Sequence, residues 1–146
     1  MQQPAFRRVA LVGKQTPEIA QSLRALRDFL RQRGCEVMLE RDTAAGVGEN
    51  GAVAGYDEIG RSADLAIVVG GDGTMLAAAR NLAHHKVPLA GINQGRLGFM
   101  TDIALSEMSD SVGAILEGRH TVEERALIEA EILRGADSVL DRKSVV

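Results

Sequence analysis

The chain has 146 residues, of which 45% are hydrophobic, which suits one compact domain with a real core. Its net charge of -3 comes without any basic run, which leaves no electrostatic footprint for nucleic acid. The first residues, Met1 to Arg8, lack the long apolar stretch of a signal peptide and nothing approaches a membrane span, so no membrane partner is expected and the cytoplasm is the default compartment.

Val9-Ala10-Leu11-Val12-Gly13 reads as the first buried strand. Thr16 then stands as an N-cap with Pro17 at the first helical position, and Ile19, Leu23, Leu26 and Leu30 line one helical face that Gly34 ends. Arg24, Arg27, Arg31 and Arg33 form the solvated face of that helix and receive no chemistry. Cys35 is the single cysteine, which excludes an intrachain disulfide, and beside an apolar strand it reads as a small buried thiol. Glu36 to Glu40 is the second strand. From Arg41 to Tyr56 four glycines and few large apolar residues predict a long mobile loop of variable surface, with a flap over a ligand as the alternative. Asp57 to Ser62 follows as a short helix.

Leu65-Ala66-Ile67-Val68-Val69 is a continuous apolar run, the pattern of a strand buried on both faces, and Met75, Ala78, Ala79 and Leu82 follow at helical spacing. Between them lies Gly70-Gly71-Asp72-Gly73-Thr74, a strand-to-helix turn at the sheet edge where open α/β folds bind ligands. Three missing Cβ atoms permit positive φ and close approach, and a helix N-terminus favours an anion such as phosphate. A phosphate cradle gains nothing from the negative charge of Asp72, whereas a phosphoryl-transfer site can use it to orient a hydroxyl or hold a hydrated Mg²⁺. The plain alternative is that Asp72 caps the helix. Walker A is excluded, because no Gly-Lys-Ser/Thr follows, and Gly-x-Gly-x-x-Gly is not completed.

His84 and His85 close that helix beside Lys86. Adjacent histidines on a helix diverge, so they read as compensation of the helix dipole and not as a zinc site. Leu89 to Ile92 is the next strand. It leads into Asn93-Gln94-Gly95-Arg96-Leu97-Gly98-Phe99-Met100-Thr101-Asp102. Leu105 to Leu116 is the last helix, with Met108, Val112, Ile115 and Leu116 as its apolar face and Gly118 as its stop. Ala126 to Leu133 alternates as a half-buried antiparallel strand would, but its Ala, Leu and Glu also suit a helix, and periodicity leaves both open. The alternation of strands and helices predicts an α/β fold, an open and mostly parallel Rossmann-like sheet flanked by helices.

Gly-Gly-Asp-Gly-Thr at 70–74, then one helix and one strand, then Asn-x-Gly-x-x-Gly-Phe from Asn93 and Thr-Asp at 101–102, strongly resembles bacterial NAD kinase. The resemblance runs from about Arg8 to the end. It implies that residues 1–119 are the α/β nucleotide-binding catalytic domain and that residues 120–146 open a β-rich NAD-binding domain, which favours a strand at 126–133. Diacylglycerol kinases and phosphofructokinases share a related glycine-aspartate loop, but not the segment from Asn93 to Asp102.

The family activity so implied is transfer of the terminal phosphoryl group of ATP, or of polyphosphate, to the 2′-hydroxyl of the adenosine ribose of NAD, giving NADP. By resemblance Asp72 is the proton acceptor, while Gly71, Asp72, Gly73, Thr74, Asn93 and Phe99 meet the nucleotides. None of these residues is expected to ligate a resident metal, although Mg²⁺ or another divalent cation accompanies the reaction. Thr74 either caps its helix or touches phosphate. Phe99 is an apolar wall against the nucleotide or plain packing, and Arg96 is surface charge. The resemblance further implies that the chain is a fragment, inactive alone, of an enzyme that forms a homo-oligomer at full length. The competing readings are a noncatalytic dinucleotide-binding module and a kinase of the diacylglycerol kinase or phosphofructokinase type acting on another hydroxyl.

Overall fold

The structure, a computed structural model, describes residues 3–48, 52–130 and 133, and the backbone of 143–145. β1 (Arg8–Gly13) is followed by α1 (Pro17–Gln32), whose N-cap Thr16 accepts a hydrogen bond from the Ile19 amide. Gly34, at φ 85°, turns the chain out of this helix into β2 (Glu36–Glu40). Next come α2 (Arg41–Val47), β3 (Val53–Ala54) and α3 (Tyr56–Ser62). β4 (Leu65–Gly70) is buried along its whole length, and α4 (Asp72–Leu82) continues into one 3-10 turn, Ala83–His85. After β5 (Leu89–Asn93) the chain makes β6 (Ile103–Ala104), a 3-10 turn and α5 (Met108–Leu116).

These six strands form one parallel sheet in the order β3-β2-β1-β4-β5-β6. The first three strands progress away from β1 in one direction and the last three in the other. The order therefore reverses between β1 and β4, and a crevice opens there at the carboxyl ends of the strands. The glycine-aspartate turn leaves β4 at that place.

Strand periodicity sorts the core into two layers. Val9 and Leu11 of β1, with Leu65, Ile67 and Val69 of β4, pack against α1 and against Val112 and Leu116 of α5. Ala10 and Val12, with Ala66 and Val68, face the opposite side, where Ile59 of α3 and Met75, Ala78 and Leu82 of α4 cover them. Leu26 sits fully buried in the first layer. Leu26→Ala should lower unfolding stability by about 2 to 5 kcal/mol, the usual cost of a buried leucine truncation, read as a shifted midpoint in urea with the slope unchanged.

The segment 41–56 is not one long loop. Glu40 supplies what its composition hides: both carboxylate oxygens accept amides, Oε1 from Asp42 and Oε2 from Thr43, so a buried N-cap starts α2 directly after β2. Thr43, Ala44 and Val47 then give this helix a buried face. Residues 53–54 pair with β2 as an edge strand. Gly51 lies outside the described residues. At the other edge, β6 and a 3-10 turn precede α5, which begins at Met108 and not at Leu105.

His84 and His85 belong to the 3-10 turn. The His85 ring packs on Gly60 of α3, with Nε2 4.0 Å from Asp57, so its contacts are with a neighbouring helix and not only with its own carboxyl end. Cys35 is buried, its thiol 3.5 Å from the Phe6 carbonyl, and burial raises its pKa, as a packing role requires. Within 126–133, β7 (Ile128–Ala130) is a strand, paired antiparallel with β8 (Lys143–Val145). Glu131 and Ile132 lie outside the described residues.

Candidate active site

At the end of β4 the backbone turns at Gly70, whose φ is 159°, and a Cβ there would stand 2.9 Å from Thr74 Oγ1. Glycine is required at this point by close approach. Gly71 is different, since its φ of -117° is ordinary extended backbone, and Gly73 lies within α4. The expectation of positive φ at these two glycines is therefore corrected. At both, a Cβ would point into open space with no atom within 4 Å, so no other part of the chain requires glycine there. The first amides of α4 have no intrahelical acceptor, the Met75 amide being the first to bond back, to the Gly71 carbonyl at 3.0 Å.

Asp72 opens α4 but does not cap it, because the N-cap is Gly71 and no side-chain cap bond forms. Its carboxylate instead crosses to the loop after β5. Oδ2 accepts the Phe99 amide at 2.8 Å, while Oδ1 accepts the Met100 amide at 3.0 Å, the Thr101 amide at 3.2 Å and the Thr101 hydroxyl at 3.1 Å. Donors to the charged form favour it, and the pKa of Asp72 is lowered, first by the Met100 amide and then by that of Phe99, against some desolvation. The group stays ionised throughout the neutral range. The stability this tie contributes is present above the ordinary carboxylate pKa, and it is lost only as the pH falls through the lowered value.

Three further contacts fix the loop after β5, one of them directly to the glycine-aspartate turn. The Gln94 amide donates to the Gly70 carbonyl at 3.1 Å, joining the ends of β4 and β5. Ser22 Oγ on α1 donates to Gln94 Oε1 at 2.9 Å. Asn93, only 4% exposed, donates through Nδ2 to the Thr101 hydroxyl at 2.8 Å, and Thr101 is completely buried. The Asn93 amide therefore closes the loop after β5 onto its own strand. Thr74 does not cap α4, and its hydroxyl is a buried oxygen without a hydrogen-bond partner. Phe99 is 91% exposed, so packing within this domain is excluded as its role, and Leu97 beside it is 62% exposed. Arg96 is also exposed.

Composition gave no role to Gly98, Gly91 or Thr101. A Cβ at Gly98 would fall on the Asp72 carboxylate, 2.5 Å from Cγ, so this glycine is the socket that receives it. At Gly91 a Cβ would lie 2.8 Å from the Met100 carbonyl oxygen and 2.9 Å from Thr101 Cα, so β5 admits the returning loop only because that side chain is missing. The signal was the repeated glycine spacing, but spacing cannot say which neighbour fills the gap. Among the described residues no group of three or more His, Cys, Asp or Glu side chains could hold a metal ion.

The family model for the ATP-NAD kinase N-terminal domain matches residues 9–120. The chain belongs to the NAD kinase family. The NAD kinase of Aromatoleum aromaticum is 56% identical over 137 residues, covering 92% of this chain and 46% of that protein. The NAD kinase of Bordetella pertussis is 47% identical over 139 residues, covering 94% of this chain and again 46% of its relative. The chain thus spans about half the length of these NAD kinases. A crystal structure of yeast NADH kinase complexed with NADH superposes with a TM-score of 0.75 at 20% identity, over 98% of this chain and 46% of that one. An NAD kinase from Archaeoglobus fulgidus in complex with ATP gives 0.53 at 24% identity, over 76% of this chain and 37% of its own. At these identities the likeness establishes the shared α/β fold.

Proposed function

We propose that this chain is the catalytic half of an enzyme that transfers the terminal phosphoryl group of ATP, or of polyphosphate, to the 2′-hydroxyl of the adenosine ribose of NAD. The observation that carries the reading is the Asp72 carboxylate. It stands at the switch point of the sheet, at the amino end of α4, held by four donors from the loop after β5. A helix cap does not need such a socket. A side chain that must meet a hydroxyl at one angle does.

Phosphoryl transfer through a loose transition state asks the protein for positioning and for late removal of a proton, not for a strong base. The lowered pKa of Asp72 suits this demand, since the carboxylate is ionised and ready to accept at neutral pH. The open space at Gly71 and Gly73 lets a nucleotide phosphate approach the first amides of α4, and the Thr74 hydroxyl, buried and unpartnered as it stands, would have to rotate outward to donate to it. The exposed Phe99 ring offers its face to the dinucleotide. A divalent cation would neutralise charge on the phosphates. The described residues supply no cage for one, and Mg²⁺ characteristically rides on substrate phosphates and water with one or two carboxylates, so no step is assigned to it.

By itself the 146-residue chain is proposed to be inactive; the active form is this chain joined to the second half that its relatives carry, here called the full-length enzyme. The reading also places it in the cytoplasm as a homo-oligomer. No described helix is long and apolar enough to cross a membrane.

The test is incubation of the full-length enzyme with ATP, Mg²⁺ and NAD, followed by assay of NADP. Binding of NAD without turnover would favour a dinucleotide-binding module, and phosphorylation of a lipid or sugar hydroxyl instead would favour another kinase. The socket gives a sharper check. Gly98→Ala sets a methyl group where the Asp72 carboxylate lies, and turnover should fall about 100-fold, as expected for a reacting group displaced by about 1 Å. Unchanged kcat in that variant would mean that the position of Asp72 does not matter.

A further inference from the structure

The Asp72 carboxylate is aimed by another side chain. Of its four donors, three are backbone amides of a loop that carries glycines at 95 and 98, Gly95 at φ 133°. The fourth, the Thr101 hydroxyl, belongs to a residue with no exposed surface whose backbone is wedged against β5 at Gly91. Proton counting then orients this hydroxyl. Thr101 owns one hydroxyl proton, the ionised Asp72 can only accept, and the Asn93 amide nitrogen can only donate. Asn93 Nδ2 therefore donates to Thr101 Oγ1, and the threonine proton points at Asp72 Oδ1. All three groups agree on one direction of donation, and Asn93 and Thr101 are buried where water cannot take the place of either.

The two carboxylate oxygens are consequently unequal. Oδ1 receives three donors, which exhausts its lone pairs, whereas Oδ2 receives only the Phe99 amide. We propose that Thr101, oriented by Asn93, is a positioning residue that locks Oδ1 in place and so presents Oδ2 to the hydroxyl of the phosphoryl acceptor. In the reaction the acceptor oxygen forms its bond to phosphorus as the bond to the donor's leaving oxygen breaks, and the hydroxyl proton passes to Oδ2. The inference rests on the reading of Asp72 as proton acceptor.

The experiment uses the full-length enzyme with ATP and NAD, in four variants. Thr101→Val keeps the shape and removes the hydroxyl. It should lower kcat about 10- to 100-fold, with KM for NAD changed by no more than about twofold, because geometry at the reacting atoms is lost and binding is not. Thr101→Ser should recover most of that loss. Asn93→Asp is isosteric but accepts where asparagine donates, so it turns the threonine proton away from Asp72 and should reproduce the Thr101→Val defect. Combined, the two changes should be no worse than either alone, since they break one chain of bonds. The acidic limb of the kcat profile should also move to higher pH in Thr101→Val, as one donor to the charged carboxylate is gone while the Met100 and Phe99 amides remain.

Unchanged kcat in Thr101→Val would overturn the inference, as would a loss confined to KM or one that serine does not recover. Asp72→Asn runs alongside. If Asp72→Asn is inactive while Thr101→Val is normal, the inference alone falls, and if Asp72→Asn turns over normally, the reading of the site falls and the inference with it.

Discussion

Asp72→Asn in the full-length enzyme is expected to lower turnover by about three orders of magnitude, within the range that loss of a proton-accepting group produces. The cause is visible in the hydrogen-bond pattern. An asparagine amide must set its nitrogen either towards the Phe99 amide or towards the three donors on Oδ1, so hydrogens face hydrogens in both orientations. With the nitrogen at the Oδ2 position the acceptor for the ribose hydroxyl disappears. With the nitrogen at the Oδ1 position the tie to Met100 and Thr101 breaks, and the loop bearing Phe99 is released. KM for NAD should therefore rise along with the fall in kcat, because the same carboxylate holds the loop proposed to face the dinucleotide. Steady-state kinetics and a melting curve measure both effects. Normal turnover with a lowered melting temperature would reduce Asp72 to a clasp between loops.

The 146-residue chain alone is expected to form no measurable NADP. Its share of the site is the carboxylate, the helix terminus and the loop after β5. On that loop Leu97 and Phe99 stand in solvent, as does Ile128 at 61% exposure on a short two-stranded sheet. Among the described residues these apolar side chains are uncovered, and the relatives are about twice as long as this chain, which spans 46% of the A. aromaticum protein. Holding two reactants in line is worth roughly 7 to 11 kcal/mol of barrier, or about five to eight decades in rate, so half a pocket loses most of the acceleration with Asp72 intact. NADP formation by the short chain and the full-length enzyme at equal concentration, with light scattering to follow association, measures the difference. Comparable rates would mean that the site is complete within these residues.

Elements with a strong periodic signal were legible before any tertiary contact was known. The apolar run at 65–69 could only be a strand covered on both faces, and Ile19, Leu23, Leu26 and Leu30 could only line a helix, because burial selects side chains at the period of the backbone that carries them. The region 41–56 was not legible in this way. Its helix depends on Glu40, a residue that composition scores as surface charge, and a buried cap is recognisable only when the amides it accepts are in place. The short edge strands at 53–54 and 103–104 have too few residues to show a period. Pairing with β2 and β5 makes them strands.

By itself the sequence determined a parallel α/β sheet, the position of a glycine-aspartate turn at its carboxyl edge, and the pairing of that turn with the segment from Asn93 to Asp102. Local periodicity and short spacings suffice for the first two, since each depends on residues close along the chain, whereas the link between the turn and the later segment came from the resemblance to a family. Only the tertiary structure decided what the individual residues do. It moved the reason for glycine from Gly71 and Gly73 to Gly70, Gly91 and Gly98, where another part of the chain occupies the space of a Cβ. It removed the alternative of Asp72 as a helix cap by showing its carboxylate held by four donors, added Thr101, 29 positions further along, and tied Asn93, 21 positions along, to that threonine. Hydrogen bonds and close packing act through space, so their partners are set by how the strands are ordered in the sheet, which no local pattern encodes.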